Sequence, residues 1–271
     1  MKIPPYSIVV VSLLSSFAIA TNAFASLSIE NLYSEYVIDF TGFDGSGFAP
    51  EPEPGQLDSD MWAISGLSDG ALDFGGTKIS DDSTRNDFAR GSDPDAVSTG
   101  GIYSFDVGDG NATLGVQPNG SDWTPGSFTL RLQNNTGQTL TSLDLSYLIY
   151  VYNDQGRASS FNFSHSIDDD AYTEVNSLNF ESPGAAPIEA EDPVNWMETS
   201  RNTTITGLSV ADGSNYYLRW SGEDLSGSGN RDQFALDNIS ITAVPEPKYF
   251  GLICGLIVLF VIRKRARSFK A

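Results

Sequence analysis

Tyr150 and Tyr152 stand two residues apart at the end of the stretch Leu140 to Tyr152, and Asp154 and Arg157 follow within five residues. On an extended strand, side chains two apart share a face. Leu143, Leu145, Tyr147, Ile149 and Val151 then make one face; Asp144, Ser146, Leu148, Tyr150 and Tyr152 make the other. Two rigid rings beside a carboxylate and a guanidinium suit stacking on sugar rings, with Asp154 or Arg157 bonding hydroxyls. That chemistry is binding rather than bond breaking. Burial of the same rings under a loop or a second sheet is the alternative for this face. The second candidate is Asp237. From Phe234 to Ile241 the apolar residues move from even positions (234, 236) to odd ones (239, 241). A strand does this only with a bulge or by turning Asp237 inward. An inward carboxylate needs a cation or several hydrogen-bond donors, so a structural calcium or a backbone amide is expected there.

For covalent or metal-assisted catalysis the sequence offers little. Cys254, the only cysteine, lies in an apolar run near the C-terminus, so the remainder has no thiol nucleophile, no disulfide and no cysteine metal site. His165, the only histidine, alternates with Phe161, Phe163 and Ile167 and reads as a packed structural residue. No H-E-x-x-H or P-loop pattern is present. Asp168-Asp169-Asp170 and the segment Asp106 to Asn111 lack the spacing of a calcium-binding helix–loop–helix. A glycan-active hydrolase would therefore rest on a carboxylate pair that no motif marks.

Both ends of the chain read as processing segments. Residues 1–25 form a signal peptide: Lys2, an apolar core from Ile8 to Ile19, and Ala23-Phe24-Ala25 as a cleavage site before Ser26. At the other end, residues 244–271 join Pro245-Glu246-Pro247, the apolar run Tyr249 to Ile262, and a basic cluster with Arg263, Lys264 and Arg265. Basic residues directly after an apolar run stay cytoplasmic, which places everything before Pro245 outside. Fourteen helical residues reach about 21 Å against about 30 Å of hydrocarbon, which suits a temporary stop in the inner membrane. Residues 26–243 remain as one folded ectodomain. Of the 15 Lys and Arg in the chain, seven lie in the end segments, so eight face 34 Asp and Glu. A surface so acidic repels phosphate backbones and excludes nucleic acid as a partner.

The elements that must position these residues are strands. Ser127 to Gln133 alternates Phe128, Leu130 and Leu132 with polar partners, and Leu140 to Tyr152 follows a turn at Asn134 to Gly137, which predicts a hairpin. Ser160 to Ile167, Thr203 to Val210, Tyr216 to Trp220 and Gln233 to Ile241 read as further strands. Gly42 to Asp60 and Glu181 to Pro193 read as loops without regular structure. No helical periodicity of useful length occurs between Ser26 and Ala243. The expectation is an all-β antiparallel sandwich, jelly-roll or concanavalin-like, flanked by a signal helix and a C-terminal hydrophobic helix.

Three resemblances bear on this. Pro245-Glu246-Pro247, the apolar run and the Arg-rich terminus together resemble the PEP-CTERM sorting tail of Gram-negative bacteria, a tail also catalogued as the C-terminal segment of ice-binding proteins. That resemblance implies recognition by an exosortase and delivery to the cell envelope, outer surface or extracellular matrix. The closing strand Leu236-Asp237-Asn238-Ile239-Ser240-Ile241 resembles those of carbohydrate-binding jelly rolls, in some of which an acid near this point holds calcium. Asp87 to Gly91, Thr99 to Tyr103, Leu130 to Gly137 and Leu218 to Gly222 resemble an accessory module of secreted bacterial proteins. The resulting expectation is an exported protein with a noncatalytic binding or structural role in an exopolysaccharide matrix, its ligand a neutral polysaccharide. A glycan-active hydrolase and a passive acidic scaffold are the alternatives.

Overall fold

Period-two alternation runs through the chain, and two stacked sheets bury its apolar half. The computed structural model describes residues 26–80, 86–184 and 195–244. The expected signal segment with Ala23 and Ala25, and the tail residues Pro245, Glu246, Pro247, Arg263, Lys264 and Arg265, lie outside the described residues. Among those described, no helix is long and apolar enough to cross a membrane.

Sheet I runs in the order β14 (Thr173–Glu174), β13 (Ala158–Ser166), β17 (Asn215–Gly222), β11 (Gly126–Asn134), β5 (Trp62–Leu67) and β6 (Gly70–Leu72). Beside it β1 (Leu27–Ile29) pairs parallel with β11, while β15 (Phe180–Glu181) and β18 (Asp224–Ser226) pair with β13. Sheet II runs β16 (Trp196–Val210), β12 (Leu140–Tyr152), β19 (Gln233–Val244), β10 (Ala112–Gln117), β9 (Gly101–Asp106) and β8 (Ser92–Asp93), with β2 (Glu35–Ile38) against the second half of β19. The fold is thus the antiparallel β-sandwich that the alternation predicts.

Aromatic pairs knit the two sheets together. Phe161 on β13 stacks on Phe234 of β19 with centroids 5.5 Å apart and planes 8° from parallel. Trp220 on β17 meets Tyr147 of β12 edge-on at 5.4 Å and 89°. All four rings are buried. Offset stacking and edge-to-face contact are the two geometries that the ring quadrupole favours, so these contacts add to the area they bury.

Two expectations fail. The strands β11 and β12 have nearly the predicted bounds, but they do not form a hairpin. They belong to opposite sheets: β11 pairs with β17 and β5, β12 with β16 and β19. The intervening turn crosses the end of the sandwich and is tied to the neighbouring crossover, where the buried Asn134 side chain donates to the carbonyls of Val210 (2.9 Å) and Gln138 (2.7 Å). Both strands present an apolar face to one core, from opposite sides. The Gly- and Pro-rich stretch from Gly42 to Asp60 is not wholly irregular either. It contributes β3 (Gly47–Ala49) and β4 (Leu57–Asp58), which form a three-stranded sheet with β7 (Lys78–Ile79). Buried Phe43 and Phe48 anchor that stretch to the core.

Candidate functional site

The outer face of sheet II carries the predicted aromatic residues. Cross-strand pairing lines up Glu198, Tyr150, Ala235, Gly115 and Tyr103 across β16, β12, β19, β10 and β9. The small residues in the middle leave a hollow, and rings fill it. A Cβ on Gly115 would lie 2.1 Å from the Phe105 ring, so that ring rests directly on the glycine. Tyr103 stacks on Phe105 at 5.1 Å, and Trp196 covers Phe105 at 5.0 Å. Tyr150 is therefore only 8% exposed, and its hydroxyl donates to Glu198 Oε2 at 2.9 Å. Burial, then that bond, pushes its pKa well up. Tyr152 is half-buried with Trp196 at 5.2 Å, edge to face. The pair does not offer two open ring faces.

Asp154 and Arg157 lie on the crossover from β12 to β13. Asp154 Oδ2 accepts from the Gln155 amide at 2.6 Å and, with Asp95, faces the Tyr152 hydroxyl closely enough to raise its pKa after burial. Arg157 is committed elsewhere. Its Nε (2.8 Å) and Nη2 both donate to the Asp224 carboxylate, and Nη1 donates to the Gly229 carbonyl at 3.1 Å. That fork raises the guanidinium pKa and lowers that of Asp224. His165 is half-buried with its ring 5.6 Å from Tyr216, and desolvation lowers its pKa.

At Asp237 the phase slip is a bulge. Ser146 pairs with Ser240 and Leu148 with Asp237, so two residues, Asn238 and Ile239, oppose Tyr147 alone. Asn238 takes φ +49°, a left-handed conformation that Asn tolerates better than a branched residue does. The Asp237 side chain is fully buried. Its Oδ2 accepts from Asn111 Nδ2 (3.0 Å) and Asn238 Nδ2 (3.3 Å), and Oδ1 accepts from the Asn238 backbone N–H (2.7 Å). Burial raises its pKa against these donors. N–H groups on both oxygens fit an anion, and among the described residues no group of three His, Cys, Asp or Glu is placed to hold a metal.

Sheet I carries an open cleft that no local pattern announces. On its outer face Asn162, Ser221, Ser127 and Ser65 form one line across β13, β17, β11 and β5. Glu174, Ser164, Arg219 and Thr129 form the next, from β14 to β11. The cleft holds about 330 Å³ between these rows, Tyr172 and Pro125. Arg219 is fixed three ways: Nε donates to Thr129 Oγ1 (3.0 Å), Nη2 to Asp169 Oδ1 (3.2 Å), and the guanidinium carbon lies 3.5 Å from the centre of the Tyr172 ring. The Tyr172 hydroxyl also donates to Asp169, and burial followed by that bond raises its pKa. A held, partly open ring beside four serine hydroxyls can stack on a pyranose and exchange hydrogen bonds with its hydroxyls. Asp169 and Glu174 offset Arg219, the one cation among the described residues of the lining, so the cleft has no net appeal for an anion. A second cleft of about 310 Å³, on the polar half of sheet II, is lined by Asp144, Ser146, Asn202, Thr204, Ser240 and Thr242 and has no ring.

No family model and no curated protein matches this chain. Similar solved structures include the N-terminal cellulose-binding domain of Cellulomonas fimi β-1,4-glucanase C (16% identity, 69% of this chain and 91% of that one, TM-score 0.32). Another is the xylan-binding domain of Paenibacillus barcinonensis Xyn10C (16% identity, 54% and 81%, TM-score 0.32). A third is the K1 cleaved adhesin domain of Lys-gingipain from Porphyromonas gingivalis W83 (11% identity, 51% and 78%, TM-score 0.33). At that overlap none of them lends a site residue to this chain.

Proposed function

We propose that this protein is an exported, noncatalytic polysaccharide-binding module of an extracellular matrix. The observation that carries the reading is the cleft on sheet I, where Tyr172 and Arg219 stand beside the hydroxyls of Ser65, Ser127, Ser164 and Ser221. Its ligand is a neutral glycan: Arg219 is already countered by Asp169, and 34 acids against eight bases in the ectodomain oppose a uronate or sulfated chain. An exosortase acting on Pro245-Glu246-Pro247, with transient holding in the inner membrane by the apolar run, completes the proposed route to the surface. The hydrolase alternative would need two reachable carboxylates. On the aromatic face, Asp237 is buried and hydrogen-bonded on both oxygens while Glu198 is exposed; at the sheet I cleft Glu174 is exposed, but Asp169 already accepts from Arg219 and Tyr172. An array of neutral and anionic polysaccharides, run beside an assay for reducing ends, tests the proposal. Retention of neutral chains without new reducing ends is expected. Release of reducing sugar would replace the module with an enzyme, and retention of anionic chains only would overturn the ligand class.

A further inference from the structure

The acidic ectodomain has one long edge strand among the described residues. β16 runs fifteen residues at the margin of sheet II, and among the described residues its sheet partner is β12. The other marginal strands β14, β6, β8 and β2 span two to four residues each. Proteins ordinarily protect an edge by keeping it short, or with Lys, Pro or an inward charge, because an open row of N–H and C=O groups is a template for another strand. β16 has no Pro and no Lys; its protection is local, an inward charge at Arg201, opposite buried Tyr147, and a bulge where Thr141 faces residues 207–209 with Gly207 at φ +73°. Glu198 accepts from Tyr150. Arg201 lies over the Phe180 ring at 5.3 Å and donates to the Asn179 carbonyl. It also caps one carbonyl of its own strand, that of Ser200. What remains outward is neutral: exposed Ser200, Asn202, Thr204 and Thr206, with Met197 44% exposed.

We infer that β16 is a self-association edge, pairing antiparallel with β16 of a second copy so that two seven-stranded sheets become one. The occupant is a second copy because the strand suits itself. An antiparallel two-fold centred on Ser200 or Asn202 keeps like faces together and sets no like charges opposite: Glu198 then meets Asn202 or Thr206, and Arg201 meets Thr199 or Thr203. It is also the neutral stripe on a molecule whose remaining surface repels its own kind. This inference does not depend on the glycan reading.

Surface repulsion is screened by salt and main-chain hydrogen bonding is not, so the dimer should tighten as salt rises from about 0.05 M to about 0.5 M. The test uses the full chain with Cys254→Ser, bearing single cysteines at Ser200, Asn202 or Thr206, and at exposed Thr173 as a control. Mild oxidation should give a disulfide-linked dimer at Ser200 or Asn202, where two-fold-related Cβ atoms approach bonding range, and little at Thr173. Sedimentation should show the salt-strengthened dimer, and Ser200→Glu with Asn202→Glu should weaken it at least tenfold. A chain that stays monomeric at both salt concentrations overturns the inference. So does a dimer indifferent to the two Glu substitutions, which would belong to another surface, or a β16 cysteine captured only by a different protein.

Discussion

Asp232 sits at the start of the last core strand with its side chain buried, and burial, aided by Asp154, lifts its pKa to about 6. In the unfolded chain it titrates near 4, as an ordinary aspartate does. Between those values the native state holds a proton that the unfolded state has lost, so this group makes stability fall as pH rises from about 4 to about 6 and leaves it lower above. Asp232→Asn keeps an oxygen to accept from the Gln155 N–H, a bond of 3.0 Å in the parent. The substitution should flatten that slope and raise stability at pH 7 by roughly 1–3 kcal/mol. Melts at pH 4, 6 and 8 read it directly; an unchanged slope would assign the pH dependence to other groups. Gly115 makes a steric prediction at the same scale. With Phe105 lying on it at 2.1 Å from a would-be Cβ, Gly115→Ala must displace the ring and loosen Tyr103 and Tyr150. The expected loss is about 1–3 kcal/mol, read as a lower denaturant midpoint with unchanged slope. The sequence displayed the aromatic residues of this face, but not that Ala235 and Gly115 would let them close over one another.

The last strand shows what is legible in an element. Its bulge was readable because the cause is local: four apolar residues change parity across Asp237, and no regular strand can place all four inward. Asn238→Val should cost about 1–3 kcal/mol by forcing a branched residue to φ +49°, whereas Asn238→Gly should be tolerated. Equal losses for both would mean that the Asn238 amide bond to Asp237, rather than the backbone, holds the bulge. With N–H donors on both Asp237 oxygens, chelator and added calcium should leave the melting temperature in place, and a rise with calcium would contradict this account. Strand partners were not legible. Alternation says which residues face inward and is silent on which sheet they face from, so β11 and β12 looked like a hairpin and are a crossover. The cleft on sheet I was hidden for a related reason. Ser65, Ser127, Ser164, Tyr172 and Arg219 come from distant parts of the chain, and each resembles an ordinary polar outward position until pairing sets them side by side.

At the scale of the whole molecule, one acidic sandwich carries a polar cleft on one sheet and a long edge strand on the other. The proposed sorting tail predicts that the mature protein lacks residues after about Pro247. Intact mass of the protein from native cells decides this, and a product still carrying Arg263 to Ala271 would mean that the tail is retained as an anchor. Affinity for a soluble neutral polysaccharide should be measured by calorimetry for the parent chain, for Tyr172→Ala, and for Tyr150→Ala with Tyr152→Ala, each with its melting temperature. Loss of one stacking ring should weaken binding by roughly two- to twelvefold, in line with about 0.5–1.5 kcal/mol for a ring contact. The melting temperature of that variant should stay near the parent's, while the double variant should melt lower with affinity preserved. Undiminished binding by Tyr172→Ala, together with lost binding by a still-folded Tyr150→Ala, Tyr152→Ala chain, would contradict the account and move the site to the face of sheet II.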